Sequence, residues 1–178
     1  ISNFKIDFFS KIIVFIIFII IIILYFTNKN YTRLLTKEVD KKTKEIEKRK
    51  EKLKALLKIY DKNVIFSRTN KKGIITDVSK AFCDISGFKK GELIGQPHNI
   101  VRHPDMPKSA FKDMWDTIKK EKVWKGEVKN RKKDGSYYWV SAEIEPEYDI
   151  DNNLIGYNAV RQNITDTKDI ENMQKETI

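Results

Sequence analysis

The chain's two histidines, His98 and His103, fall in a run of thirteen residues, Gly95-Gln96-Pro97-His98-Asn99-Ile100-Val101-Arg102-His103-Pro104-Asp105-Met106-Pro107. An imidazole in such a run can ligate a metal such as haem iron, or it can bond to nearby backbone as an ordinary loop residue. Arg102 can meet an anion with its planar fork, or pair with Asp105 across the turn, an interaction of little energetic weight where exposed. Residue type alone leaves each of these readings open. No nucleophile–base pair, metal-spaced cluster or phosphate-binding glycine loop accompanies them, so this stretch of chain is not expected to be an enzyme. A single cysteine, Cys83, excludes a disulfide within the chain and a cysteine-based zinc site, and suits a reducing cytoplasmic compartment. Cys83 falls on the apolar side of a short helical pattern and reads as core.

The elements that position these residues follow from local pattern. Residues 64–68 and 74–78 read as two strands joined by the turn Asn70-Lys71-Lys72-Gly73. Short helices are expected at 79–85 and 90–94, broken at Gly87 and Gly95. A longer helix at 108–121 sets Phe111, Met114, Trp115 and Ile118 on one face, a spacing that core packing also produces. Strands at 124–130, 136–148 and 154–164 complete the pattern, with turns at Lys133-Asp134-Gly135 and Asp151-Asn152-Asn153. Two strands, several helices and three more strands make an α+β domain with an antiparallel sheet of five strands, spanning residues 63–165.

That order resembles the PAS domain, and so do the phrases Asp84-Ile85-Ser86-Gly87-Phe88, Glu92-Leu93-Ile94-Gly95-Gln96, Lys132-Lys133-Asp134-Gly135 and Tyr138-Trp139-Val140. Such domains usually close on Asp-(Ile/Val)-Thr. Here Asn163-Ile164-Thr165 puts an amide in place of the carboxylate, which can hydrogen-bond but not ion-pair. The run from Gly95 to Pro107 is similar to that of the bacterial aerotaxis-receptor PAS sensors, and the likeness continues through Phe111-Lys112-Asp113-Met114-Trp115, Trp124-Lys125-Gly126 and Val128-Lys129-Asn130-Arg131. In that family the domain holds FAD non-covalently and reports on respiration. Carried over by position, Arg102, His103 and Asp105 are the signature residues for FAD, with Phe111, Asp113, Trp115, Trp124 and Asn130 beside the pocket.

A flavin needs a flat apolar slot, amides or hydroxyls for its ring edge, and positive charge for its diphosphate. Trp115, Phe111, Trp124 and Tyr138 are candidates for the slot, and Asn99 and Asn130 for the ring edge. Arg102 and Lys108 flank the loop and suit phosphate oxygens. Three alternatives stand beside FAD. A haem would take a histidine as axial ligand. A light-sensing flavin domain would need a reactive cysteine in a motif that is absent. A ligand-free domain would serve only in dimerisation and signal coupling.

Outside the domain, residues 12–26 form an unbroken apolar run. Extended back to Phe8, with Lys11 snorkelling, the segment 8–28 is expected to span a membrane. The region 29–62 carries 13 basic and 6 acidic side chains, against 20 and 18 in 63–178. Charge concentrated beside the apolar run, not on the folded part, points to anionic lipid rather than nucleic acid. It also puts the folded part on the cytoplasmic side of the inner membrane. Leu35, Val39, Lys42, Ile46, Arg49, Leu53, Leu56 and Tyr60 alternate in steps of four and three, the seam of a parallel helical homodimer with a polar middle. The chain begins on Ile1 rather than Met and is expected to be part of a longer one. Residues 166–178 read as the start of a helix leading to an output domain, of chemotaxis-receptor, kinase or cyclic-dinucleotide type.

Overall fold

A computed structural model describes residues 2–176; within these, the side chains of 2–8 and 176 are not described. Two compact units divide the chain, Ile1–Lys54 and Ala55–Ile178. The first lies within helix α1 (Ser2–Asn63). From Ile12 to Phe26 every side chain is exposed, and by length and composition this helix is sufficient to cross a membrane. Residues 177 and 178, at the end of the expected C-terminal helix, lie outside the described residues.

The second unit is built on five antiparallel strands, β1 (Ile65–Asn70), β2 (Ile75–Val78), β3 (Trp124–Arg131), β4 (Tyr137–Tyr148) and β5 (Leu154–Asn163), in the order β2-β1-β5-β4-β3. Between β2 and β3 run α2 (Lys80–Ser86), α3 (Lys90–Leu93), a 3-10 turn (His98–Val101) and α4 (Lys108–Ile118). Helix α5 (Thr165–Glu176) follows β5. The α+β class with an antiparallel sheet of five strands, read from the sequence, is the one observed. The 3-10 turn had no sequence signal, because four residues are too few to show a period.

Local chemistry fixes the boundaries. Ser79 caps α2 by accepting from the Phe82 N–H, and Gly87 ends that helix in the left-handed conformation that glycine tolerates best. Asn163, in the place of the usual Asp, accepts from the Thr165 N–H and hydroxyl at 3.1 and 2.6 Å, and Thr165 Oγ1 in turn accepts from the Trp139 N–H. The amide therefore keeps the turn into α5 without any ion pair.

The interior forms two clusters. One gathers Ile65, Ile75, Val78, Phe82, Leu93 and Val101 around α2. The other gathers Ile118, Trp124, Tyr138, Val140, Ala142 and Tyr157 between α4 and the sheet.

Candidate functional site

A cavity of about 260 Å³ opens between the sheet, α4 and the 3-10 turn. Strand alternation sends Ser67 and Thr69 of β1, and Tyr157, Ala159 and Arg161 of β5, into it. Val128 and Asn130 enter from β3, Ala142 and Ile144 from β4, and Phe111, Met114 and Trp115 from α4. An isolated backbone bridge between Arg102 and Asn130 draws the 3-10 loop onto β3, so the loop forms one wall, with Pro97, His98, Asn99 and Arg102 in the lining. Gly73, at φ 75°, lets the β1–β2 turn lie flat on the indole of Trp115, since a Cβ there would sit 3.0 Å from that ring.

Five of the ten candidate residues read from the sequence line this cavity: Asn99, Arg102, Phe111, Trp115 and Asn130. The Arg102 guanidinium lies 3.8 Å from the centre of the Phe111 ring, and its one hydrogen bond is a long contact to the Met106 carbonyl. The other five stand outside the lining. His103 packs its ring edge against Tyr137 and accepts from the Asp105 N–H. Asp105 is exposed and takes a 2.8 Å ion pair from Lys129, which holds its carboxyl below the usual range. Asp113 accepts from the Trp124 indole N–H at 2.9 Å, joining α4 to β3. Trp124 and Tyr138 are buried in the cluster beneath α4. The Tyr138 hydroxyl lies beside the Asn130 amide but has no well-formed hydrogen bond among the described residues. Burial pushes its pKa up to about 12 despite the nearby Arg161 charge. Lys108 does not line the cavity, whereas Lys72 does.

The sequence reading missed a polar triad in which Ser67 and Arg161 are buried and His98 is half-buried. Arg161, 8% exposed, donates to Ser67 Oγ at 2.9 Å and to the Ala159 carbonyl at 3.3 Å. Its other terminal nitrogen lies 3.0 Å from His98 Nε2, which is also 3.1 Å from Ser67 Oγ. A guanidinium only donates, so His98 Nε2 accepts and the imidazole is neutral, with its proton on Nδ1. Desolvation, then the Arg161 charge, lowers the His98 pKa to about 3. The edge of the Phe82 ring packs against His98, and the Arg161 guanidinium lies 5.5 Å from the Phe82 ring centre. Burial brings the Arg161 pKa down to about 10, so it remains charged at neutral pH.

What the triad lacks is a carboxylate. Among the described residues Arg161 makes no ion pair, and no Asp or Glu lines the cavity. A buried charge without a counter-ion costs stability. The site can therefore accommodate a group that brings negative charge to Arg161 and a flat apolar face to Trp115.

The His98 shift carries a pH prediction. The unfolded chain takes up a proton on His98 near its ordinary pKa, while the folded domain refuses it until about pH 3. Stability from this source is complete above the ordinary value and is lost as pH falls, with a slope of about 1.4 kcal/mol per pH unit. Urea unfolding between roughly pH 6 and pH 4.5 reads it before most carboxylates titrate. His98→Gln, which keeps an acceptor for Arg161, is expected to flatten the slope; an unchanged slope would assign the acid sensitivity elsewhere.

Residues 75–161 match the family model described as PAS fold. The chain is 46% identical over 108 residues to the aerotaxis receptor of Escherichia coli, which is 61% of this chain and 21% of that protein. It is 27% identical over 103 residues to the nitrogen fixation regulatory protein of Klebsiella pneumoniae, 58% of this chain and 21% of that protein. The chain thus spans about a fifth of the length of these relatives. Among solved structures, a PAS domain from Colwellia psychrerythraea superposes with a TM-score of 0.58 at 25% identity, covering 64% of this chain and 98% of that one. A light-oxygen-voltage domain studied with a flavin analogue gives a TM-score of 0.58 at 18% identity over 69% of this chain and 94% of that one, a likeness of fold. With its strand order, its intervening helices and its match from β2 to β5, the folded domain of this chain is a PAS domain, similar in sequence to that of the aerotaxis receptor.

Proposed function

We propose that this domain binds FAD non-covalently and senses redox or oxygen state, in a membrane-anchored signalling chain that passes the state to a C-terminal output domain. The observation that carries the reading is the cavity itself: walled by Trp115 and Phe111, free of carboxylates, and holding the uncompensated charge of Arg161. Its likeness to the aerotaxis receptor supports the same reading. A volume of about 260 Å³ suits a ring system, leaving the rest of a dinucleotide to cross the mouth. When bound, a flavin supplies reversible electron uptake that changes the charge of its ring.

The chain's own residues then do three things. Trp115 and Phe111 hold a flat ligand and exclude water. Arg161, fixed by Ser67 and Ala159, attracts the more negative state of the ligand more strongly, the differential contact that a conformational bias requires. Phe82 touches both His98 and Arg161 and belongs to α2, whose Lys80 N–H donates to Asp61 near the end of α1. On the far side β4 holds α5 through the Tyr137 hydroxyl, which donates to Asp169. Repacking around Arg161 thereby reaches both helices that leave the domain.

A haem reading fares less well, since His98 Nε2 is occupied by Arg161 and Ser67 and His103 stands outside the lining. Cys83 packs against the α2 cluster, not the cavity, and desolvation raises its thiol pKa, which argues against thiol photochemistry.

Residues 8–28 suit a membrane span, and the basic connector that follows favours a domain on the cytoplasmic side of the inner membrane, with the connector against anionic lipid. The exposed row Val39, Ile46, Leu53 and Tyr60 fits the seam of a parallel homodimer. The seam cations Lys42 and Arg49 are each paired within the helix to Glu38 and Glu45, which softens their repulsion across such a seam. On this reading the domain is a sensing module that relays a state to another part of a longer chain rather than a catalyst.

The full chain, expressed with ample flavin and purified in detergent, is expected to be yellow and to release FAD on denaturation. A colourless protein that takes up no FAD on titration sinks the proposal.

A further inference from the structure

We infer that Lys72, on the β1–β2 turn, is one arm of a phosphate clamp at the cavity mouth, with Arg102 as the other. The inference rests on the flavin reading above and goes beyond it by naming what discriminates a phosphorylated flavin from a bare one. Three cationic side chains line the cavity, Lys72, Arg102 and Arg161, and no carboxylate does. Among the described residues none of the three makes an ion pair. They differ in burial: Arg161 lies inside, while Lys72 is exposed and Arg102 half-buried. The cavity therefore presents positive charge at two depths. A ligand matching both carries one anionic centre on its inner part and another on its outer part.

The backbone turn that carries the outer arm is held in position. Asn70 Oδ1 accepts from the Lys72 N–H at 2.9 Å and from the Ile74 N–H at 3.1 Å, closing the turn on itself. The Gly73 carbonyl accepts from the His98 N–H at 3.0 Å, tying the turn to the loop that carries Arg102. Arg102 spends its guanidinium face on Phe111 and at most one N–H on Met106, so most of its donor fork is free for phosphate oxygens. The ammonium of Lys72 supplies the complementary point charge. Lys108, which follows the loop, is not part of the lining. Lys72 and Arg102 would hold a diphosphate at the mouth, and Trp115 would take the planar ring.

The test compares FAD with riboflavin, which has the same ring and no phosphate, by quenching of flavin fluorescence on the full chain in detergent. Wild type is expected to bind FAD roughly tenfold more tightly than riboflavin. Lys72→Gln is expected to weaken FAD about fivefold while leaving riboflavin within about twofold, and to reduce the loss of FAD affinity with added salt. Lys72→Arg, which restores the charge, should restore the preference. The clamp is overturned if Lys72→Gln weakens both ligands equally or weakens neither. If wild type binds neither ligand, the flavin reading itself falls and the clamp with it, a result distinct from a flavin site indifferent to Lys72.

Discussion

Phe82→Ala is expected to lower the stability of the folded domain by about 3–5 kcal/mol, the usual cost of emptying a buried phenylalanine site. The side chain is fully buried and packs with Ile65, Ile75, Val78, Leu93 and Val101, so the surrounding strands have little freedom to collapse into the gap. Its ring also faces the Arg161 guanidinium, an attraction of about 0.5–2 kcal/mol that disappears with it. Against a total of about 5–15 kcal/mol for an ordinary domain, this loss brings the fold close to its threshold. The three tryptophans, Trp115, Trp124 and Trp139, all belong to the PAS domain, so fluorescence during urea unfolding of the full chain reports this domain alone. Phe82→Leu refills most of the volume and is expected to cost under about 1.5 kcal/mol, with the remaining deficit tracing the lost ring contact. A Phe82→Ala midpoint matching wild type would mean that α2 is not anchored as described.

What was legible in the sequence was local. The 3.6-residue spacing of Phe111, Met114, Trp115 and Ile118 marked α4, and the turn residues at 70–73 and 133–135 marked two hairpins. The run from Gly95 to Pro107 was marked by resemblance, which also supplied its meaning. The inner half of the site was hidden because it is non-local. Ser67 and Arg161 are 94 positions apart, and His98 and Arg161 are 63 apart. They meet only because β5 lies between β1 and β4, and strand periodicity does not dictate that pairing. A regular alternation along residues 157–161 would have put Arg161 on the inward face with Tyr157 and Ala159, an anomaly that invites explanation. Resemblance likewise conveys position but not facing. His103 and Asp105 belong to the signature loop, yet their contacts run outward to Tyr137 and Lys129. There they brace the loop against β3 and β4 rather than enter the cavity. Tyr138 carries the inward parity of its strand but lies too deep, sealed in the cluster with Val140 and Tyr157.

Arg161→Met is expected to separate binding from stability. In the ligand-free domain the guanidinium is a buried charge whose partners are all neutral: Ser67, Ala159, His98 and the Phe82 ring. Replacing such a charge by an apolar side chain of similar length is often neutral or stabilising by about 1–4 kcal/mol. Here the gain is reduced by the acceptors left behind on Ser67 and His98, so ligand-free stability should hold or rise modestly. On the flavin reading, FAD affinity is expected to move the other way. Loss of a charge-assisted contact in a desolvated site costs about 1.5–3 kcal/mol, roughly ten- to hundredfold in Kd. Arg161→Lys keeps the charge but cannot reach Ser67, His98 and a ligand together, and belongs between wild type and Met. Two paired measurements decide the matter: the urea midpoint without ligand, and the Kd for FAD. If Met leaves FAD binding within threefold of wild type, Arg161 does not face the ligand's charge. If stability and binding fall together, the guanidinium is a structural strut. Only a retained midpoint with a large loss of affinity identifies a charge that the fold carries for its ligand.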